Sequence, residues 1–257
     1  MPSRPVVLVT GSARRVGRAI ALELAAQGWD VAVHYMRSAA EAQATVSELQ
    51  DLGAQARAFG ADLADEAQCQ ALLPAVSAHF GRVDAVVNNA SHFSYDSVAD
   101  FGHAAMERHW RANTAPAIVL ARALHAQLGA GRGAVVNLLD QKLWNPNPDH
   151  LSYTLSKAAL HMATTLLAMT LAPRVRVNAV APGLTLMSEG LSPEQFEQLH
   201  RQAPLQRAST PADIAQAVRY LLEAPAVTGS CLLVDGGQHL HRMERDFAYL
   251  DAPEPLP

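Results

Sequence analysis

From residue 5 to residue 234 the chain alternates short, β-branched apolar runs with longer segments of helical period. That alternation restricts the fold more than any other feature. Residues 5–10, Pro-Val-Val-Leu-Val-Thr, form a continuous run of the kind a strand buried on both faces requires. Residues 15–27 then carry apolar side chains at Val16, Ile20 and Leu24, and Gly28 closes the segment. The same rhythm predicts strands at 31–35, 55–59, 83–88, 133–139, 174–180 and 231–234. It predicts helices at 38–52, 65–80 (with Asp65 as N-cap), 104–128, 151–171, 193–202 and 211–222. Consecutive strand–helix units pair in parallel through right-handed crossovers and cover both faces of a sheet. The expected fold class is therefore α/β: a doubly wound, Rossmann-type parallel sheet of about seven strands.

The 257 residues are 49% hydrophobic, with no shift in composition to mark a boundary. A single domain over 1–250 is expected, with 251–257 as a flexible tail. A formal net charge of −4 implies no basic surface for nucleic acid. The apolar runs stop well short of the roughly 20 residues of a membrane span, and the N-terminus lacks a signal-peptide core. These features predict a cytoplasmic protein with neither nucleic-acid nor membrane partners. Cys69 and Cys231 stand outside any CxxC pattern and read as buried thiols. The 11 histidines form no HExxH-like spacing, so no metal is expected.

Between the first strand and helix lies Thr10-Gly11-Ser12-Ala13-Arg14-Arg15-Val16-Gly17. Glycines at such a turn let the backbone approach a pyrophosphate seated on the helix N-terminus, which makes Gly11, Arg14, Arg15, Val16 and Gly17 the expected contacts. The second strand ends in His34-Tyr35-Met36-Arg37-Ser38, with no acid to hold a ribose 2′-hydroxyl. Arg37 and Ser38, helped by Arg15, suit a 2′-phosphate instead, so NADPH is expected over NADH, with His34 and Tyr35 in the same set. Asp62-Leu63 after the third strand is placed to meet an adenine. Asn88-Asn89-Ala90-Ser91 after the fourth offers the small residues a closely approaching cofactor needs. Each feature also has a local explanation in turn-forming glycines and asparagines or a solvated arginine.

Tyr153 and Lys157 share one face of the 151–171 helix, about a turn apart. An ammonium near a phenol favours the phenolate and lowers the tyrosine pKa, so Tyr153 is expected to pass a proton near neutral pH. Asp140 follows the 133–139 strand, at the carboxyl end where open α/β sheets place ligands. Taken alone, the pair equally describes a half-buried tyrosine beside a solvated lysine, and Asp140 a loop cap.

Assembled in order, these residues resemble the short-chain dehydrogenase/reductase family over nearly the full length. Thr10-Gly11, Asn88-Asn89-Ala90, Asn113, Tyr153 with Lys157, Pro182-Gly183 and Val234-Asp235-Gly236-Gly237 carry the resemblance. Three departures from the common pattern are informative: Arg15 for the middle glycine, Ser91 for the glycine after Asn-Asn-Ala, and Asp140 for the catalytic serine. Together with residues 34–42 and Phe93 they resemble the pteridine reductase branch, and the bacterial dihydromonapterin reductases lie close to the same pattern. Asp140 also fits chemically. An ionised carboxylate only accepts hydrogen bonds and repels a developing alkoxide, whereas a C=N bond needs a proton on nitrogen. The same charge opposes Lys157 by disfavouring the phenolate.

The resemblance implies an NADPH-dependent reductase delivering hydride to C6 of a 7,8-dihydropterin while Tyr153 protonates N5. Oxidised pterins and dihydrofolate are further candidate substrates. Arg15 would face the phosphates and the pterin, Ser91 the cofactor–pterin boundary, and Phe93 the pterin ring. Asn113 would hold Lys157 through solvent. Pro182, Gly183 and Thr185 would meet the nicotinamide, with Leu184 and Leu186 in a substrate lid over about 184–205. A homotetramer packing 104–128 and 151–171 is implied as well. The alternatives are an NADPH-dependent carbonyl or 3-oxoacyl-thioester reductase, and a non-catalytic NADPH-binding module.

Overall fold

The strands are β1 (Val6–Val9), β2 (Asp30–Tyr35), β3 (Ala56–Gly60), β4 (Ala85–Asn88), β5 (Gly133–Leu138), β6 (Val175–Pro182) and β7 (Cys231–Val234). In the computed structural model, which describes residues 4–187, 191–207 and 209–250, they form one parallel sheet in the order β3-β2-β1-β4-β5-β6-β7. The expected tail at 251–257 and residues 188–190 of the expected lid lie outside the described residues. The strand order reverses direction at β1, which pairs with β2 on one side and β4 on the other. A crevice therefore opens beyond the carboxyl ends of β1 and β4.

The helices are α1 (Arg15–Ala26), α2 (Ala39–Asp51), α3 (Glu66–Phe80), α4 (His103–His109), α5 (Ala115–Gln127), α6 (Leu151–Leu171), α7 (Pro193–Gln202) and α8 (Pro211–Glu223). Alternation along β1 assigns the two layers. Val7 and Val9 pack with Ile20, Leu24, Val46, Leu49, Ile214 and Leu221 of α1, α2 and α8. Leu8 faces the other way, onto a layer with Leu72, Leu73, Leu120 and Leu124 of α3 and α5. All four residues of β1 are buried, which explains its continuous apolar run. Asn88 and Asn137 are a buried exception on neighbouring strands: the amide of Asn88 donates to Asn137 Oδ1 at 2.8 Å, and that of Asn137 to Thr164 Oγ1 at 2.9 Å.

Two expectations need correction. The 104–128 helix is interrupted by a π turn at Trp110–Thr114, where the N–H of Ala115 reaches back to the carbonyl of Trp110. Pro116 has no N–H to give to residue 112, so the α-helical ladder cannot run through, and the wider turn absorbs the gap. Cys231 is only half-buried, because β7 is the edge strand, whereas Cys69 is buried as expected. Burial pushes the thiols of Cys69 and Cys231 up to about 11 and about 12, with Glu66 adding to the effect at Cys69.

The start of α6 is held from another part of the chain. His150, at its N-cap, adopts a left-handed conformation (φ 57°, ψ 52°) and makes no side-chain cap. Asp96 supplies the cap instead. Its Oδ1 accepts from the N–H of Ser152 at 2.9 Å, its Oδ2 from the Ser152 hydroxyl, and its carbonyl from the N–H of Leu151 at 3.2 Å. A carboxylate at a helix N-terminus also complements the helix dipole. Asp96→Ala keeps the Leu151 bond to the backbone carbonyl but leaves the N–H and hydroxyl of Ser152, both buried, without their carboxylate partner. It should lower unfolding free energy by about 1–3 kcal/mol, read as a shift in the urea midpoint; an unmoved midpoint would refute the cap.

Candidate active site

A cavity of about 1140 Å³ runs along the carboxyl ends of the strands. Single-ligand pockets occupy roughly 300–1,000 Å³, so this one has room for a dinucleotide and a small substrate together. Every residue expected at the site from the sequence lines it, except Asn113.

The nucleotide end is built on close backbone approach. A Cβ on Gly17 would lie 2.4 Å from the carbonyl oxygen of Gly11 and 2.5 Å from Nδ2 of Asn89, so only glycine fits. Asn89 locks this turn to β4: its Nδ2 donates to the Thr10 and Gly11 carbonyls at 2.9 and 3.2 Å. Thr10 Oγ1 in turn accepts from the N–H groups of Asn89 and Ala90 at 2.9 and 3.0 Å. His34 proves to be a brace. Its Nδ1 accepts from the N–H of Gly11 and its Nε2–H donates to the carbonyl of Ala61, both at 3.0 Å. Burial lowers its pKa, which keeps the ring neutral and this tautomer in place.

Arg15 occupies the first position of α1 in a left-handed conformation with φ 55°, one that glycine adopts without strain. Arg14, Arg15 and Arg37 are exposed around the opening, with Ser38 beside them. Asp62 and Leu63 follow β3, where Asp62 Oδ1 accepts from the N–H of Ala64 at 3.0 Å. At the other end, Gly183 packs against the 235–238 turn: a Cβ there would lie 2.7 Å from Asp235 Cβ and Gln238 Oε1. Gln238 Oε1 accepts from the N–H of Leu184 at 2.9 Å, so the Pro182-Gly183 and Asp235-Gly236-Gly237 motifs touch. Thr185 Oγ1 donates to the Gly183 carbonyl at 2.9 Å. The glycine cradle, the helix N-terminus and the arginines fit a phosphorylated dinucleotide.

Tyr153, Lys157 and Asp140 converge between β5 and α6. The Tyr153 hydroxyl donates to Asp140 Oδ2 at 2.8 Å, and Asp140 Oδ1 accepts from the N–H of Lys142 at 2.9 Å. Lys157 Nζ donates to the Leu138 carbonyl at 2.7 Å and lies 5.7 Å from the Tyr153 ring centroid. Here the expectation of a lowered tyrosine pKa is overturned. Burial, the Asp140 charge and the hydrogen bond to Asp140 raise it well above the usual value. Burial likewise raises the Asp140 carboxyl, and it lowers the Lys157 ammonium to about 8 against the pull of Asp140. Tyr153 is thus held as a protonated phenol whose hydroxyl donates to Asp140.

Asn113 stands behind the cavity wall on the π turn. Its Oδ1 accepts from the N–H of His92 at 2.6 Å and from Ser91 Oγ at 3.3 Å. Its Nδ2 donates to the His92 carbonyl at 3.0 Å and to Ser156 Oγ at 2.9 Å. It therefore ties the Ser91 loop to α6 one residue before Lys157. Phe93 stacks on His150 (4.2 Å between centroids, 27° between planes) and meets Tyr153 edge-on at 4.7 Å. It remains 54% exposed, which leaves ring surface open to the cavity.

Residues 11–239 match the family model described as enoyl-(acyl carrier protein) reductase. The chain belongs to the short-chain dehydrogenase/reductase family. Among solved relatives of this reductase is the FolM alternative dihydrofolate reductase 1 from Brucella canis, complexed with NADP. It is 42% identical, with a TM-score of 0.90 over 96% of this chain and 98% of that chain. The 3-oxoacyl-(acyl-carrier-protein) reductase FabG of Staphylococcus aureus is 35% identical, over 91% of this chain and 97% of its own. Pteridine reductase 1 of Leishmania tarentolae is 32% identical, over 94% and 98%. No helix among the described residues is long and apolar enough to cross a membrane.

The short-chain dehydrogenase/reductase fold also brings to the cavity residues that the sequence did not single out: Lys142, Asn145 and Asn147 before α6, and Met243, Asp246 and Phe247 after β7. Lys142 and Asp246 lie 104 positions apart, and no local spacing announces their pairing. The one available signal was the aromatic and charged run 243–249, which is unlike a solvated linker.

Proposed function

We propose that this chain is an NADPH-dependent pteridine reductase that converts dihydropterins to their tetrahydro forms. The observation that carries the reading is the 2.8 Å hydrogen bond from Tyr153 to Asp140 at the buried end of the cavity. A carboxylate there would repel the oxyanion of a reduced ketone, but it is compatible with protonation of a ring nitrogen. The exposed surface of Phe93 supplies a stacking platform for a flat heterocycle. Similarity to a FolM alternative dihydrofolate reductase and to a pteridine reductase supports the same reading.

Arg37, Ser38 and Arg15 would hold the 2′-phosphate of NADPH, and the Gly11–Gly17 turn its pyrophosphate. Asp62 and Leu63 would border the adenine; Asn89, Ala90, Pro182, Gly183 and Thr185 would hold the nicotinamide half, with Lys157 on its ribose. When bound, NADPH supplies the hydride. Ser91 and Arg15 would contact the pterin at the cofactor boundary, and Leu184 and Leu186 would cover it. Tyr153 gives its proton to the ring nitrogen, and the Lys157 ammonium offsets the phenolate charge left behind. Asp140 accepts the Tyr153 hydroxyl between turnovers and fixes its orientation.

The pH dependence follows from Lys157. Its charged form stabilises the phenolate formed as the proton leaves, and that charge is lost as pH rises through about 8. The rate should therefore be level below that pH and fall above it. A pH profile of kcat/KM checks this, and a rate still rising beyond pH 8 would overturn the role.

On α6 the row Leu155, Met162, Leu166 and Met169 is exposed on one face, which supports packing between copies in a homotetramer. A second reading, reduction of 3-oxoacyl thioesters, draws on the similarity to FabG. NADPH consumption measured with 7,8-dihydrobiopterin and dihydromonapterin, beside acetoacetyl thioester, decides between them. Turnover of pterins alone supports the proposal; turnover of the thioester alone replaces it.

A further inference from the structure

One end of the cavity is lined in part by a segment that lies outside the strand–helix alternation. After β7 the chain returns across the loop between Asp140 and Tyr153 and is fastened there at three points. Asn145 exchanges hydrogen bonds with the backbone: its Nδ2 donates to the His241 carbonyl at 2.8 Å and its Oδ1 accepts from the N–H of Met243 at 3.2 Å. Asp149 accepts from Arg245 Nε and Nη2, both at 2.9 Å, and from the N–H of Asp246 at 2.8 Å. Asp246 pairs with Lys142 Nζ at 3.0 Å, and the same ammonium also donates to Asn147.

Lys142 and Asp149 are 4% and 1% exposed, so these ionic groups are desolvated, and each depends on its partner to be tolerated. The N–H of Lys142 is also the donor to Asp140 Oδ1, so the clamp is continuous with the carboxylate that holds Tyr153. Tyr249, just beyond, packs edge-on against Tyr95 at 4.8 Å and lies 5.7 Å from His150, the strained residue that opens α6. Met243, within the clamped stretch, and Phe247, the residue after Asp246, line the cavity and offer it an apolar surface.

We propose that residues 243–247 form the specificity-determining wall of the substrate end, with Asp246 as the positioning residue that clamps this wall to the loop between Asp140 and Tyr153. The wall contacts the substituent carried by the reducible ring, not the ring itself, which lies with Phe93 and Tyr153. Phe247 sets which substituents fit; Asp246 sets whether the wall is in place. The identity of the ring rests on the pteridine reductase reading; the clamp does not.

Two measurements test it on the full-length protein. The first is the ratio of KM values for 7,8-dihydrobiopterin, with a short substituent, and dihydrofolate, with a long aryl one. Phe247→Ala should change that ratio by about fivefold or more, with NADPH affinity unchanged. The second is hydrogen exchange, which needs no turnover. Asp246→Asn should speed exchange of amides at 141–150 and leave β4 and β5 unchanged, and Asp246→Glu should restore protection. An unchanged KM ratio overturns the wall, as does a fall in NADPH affinity of equal size. Unchanged exchange at 141–150 overturns the clamp. If wild-type protein reduces neither pterin, the functional reading fails. The ratio is then taken between short and long 3-oxoacyl thioesters, and the same outcomes decide the wall.

Discussion

Tyr153→Phe is expected to lower kcat about a thousandfold while leaving NADPH affinity within about twofold. The hydroxyl is the atom at stake. It donates to Asp140, and in the proposed reaction it is the proton source. Phenylalanine keeps the ring, and with it the edge-on contact to Phe93 and the packing of a side chain only 7% exposed. The fold and the nucleotide cradle, which is built from β1, β2 and β4, should therefore survive. Single-turnover rates and a fluorescence titration with NADPH make the check. Equal losses of rate and of cofactor binding would show that Tyr153 shapes the site without acting in it.

Asp140→Asn separates two roles that the geometry combines. One oxygen of Asp140 braces the loop by accepting from the N–H of Lys142, and the other receives the Tyr153 hydroxyl. Asparagine can retain the first contact while losing the charge. If Asp140 is only a brace, activity persists. If its charge matters, kcat/KM with a dihydropterin should drop about a hundredfold. The Tyr153 phenol should ionise at lower pH at the same time, because after burial the Asp140 charge is the largest cause of its raised pKa. Removing a negative neighbour favours the phenolate, so the sign is fixed. Ultraviolet difference titration reads the phenol directly. A rate that falls while the phenol stays where it was would move the explanation to loop geometry.

The fold was legible because the inner strands of a doubly wound sheet are buried on both faces and its helices on one. Val6–Val9 and the Ile20/Leu24 period therefore record their layer in single-residue detail. The nucleotide end was legible for a similar reason: Gly17 excludes a Cβ by a 2.4 Å contact with the carbonyl oxygen of Gly11, six residues away. Other features depend on residues distant in sequence. The π turn at Trp110–Thr114 comes from Pro116, but apolar period alone reads through it. The direction of the Tyr153 pKa depended on burial, which the four-residue spacing to Lys157 does not encode. His34 belonged to the expected cofactor set, yet both its nitrogens are spent on Gly11 and Ala61. The Lys142–Asp246 pair joins positions that only the folded chain brings together.

Arg15 leaves a trace in how this protein can change. Its backbone sits at φ 55°, where a side chain costs roughly 1 kcal/mol that glycine would not. A single substitution to glycine thus lies downhill for folding. In the proposed reading the Arg15 guanidinium meets the cofactor phosphates and the pterin, and glycine would give up that contact. On that reading thermal stability and ligand affinity are set against each other at this one position, and a laboratory selection for heat resistance alone should find it early.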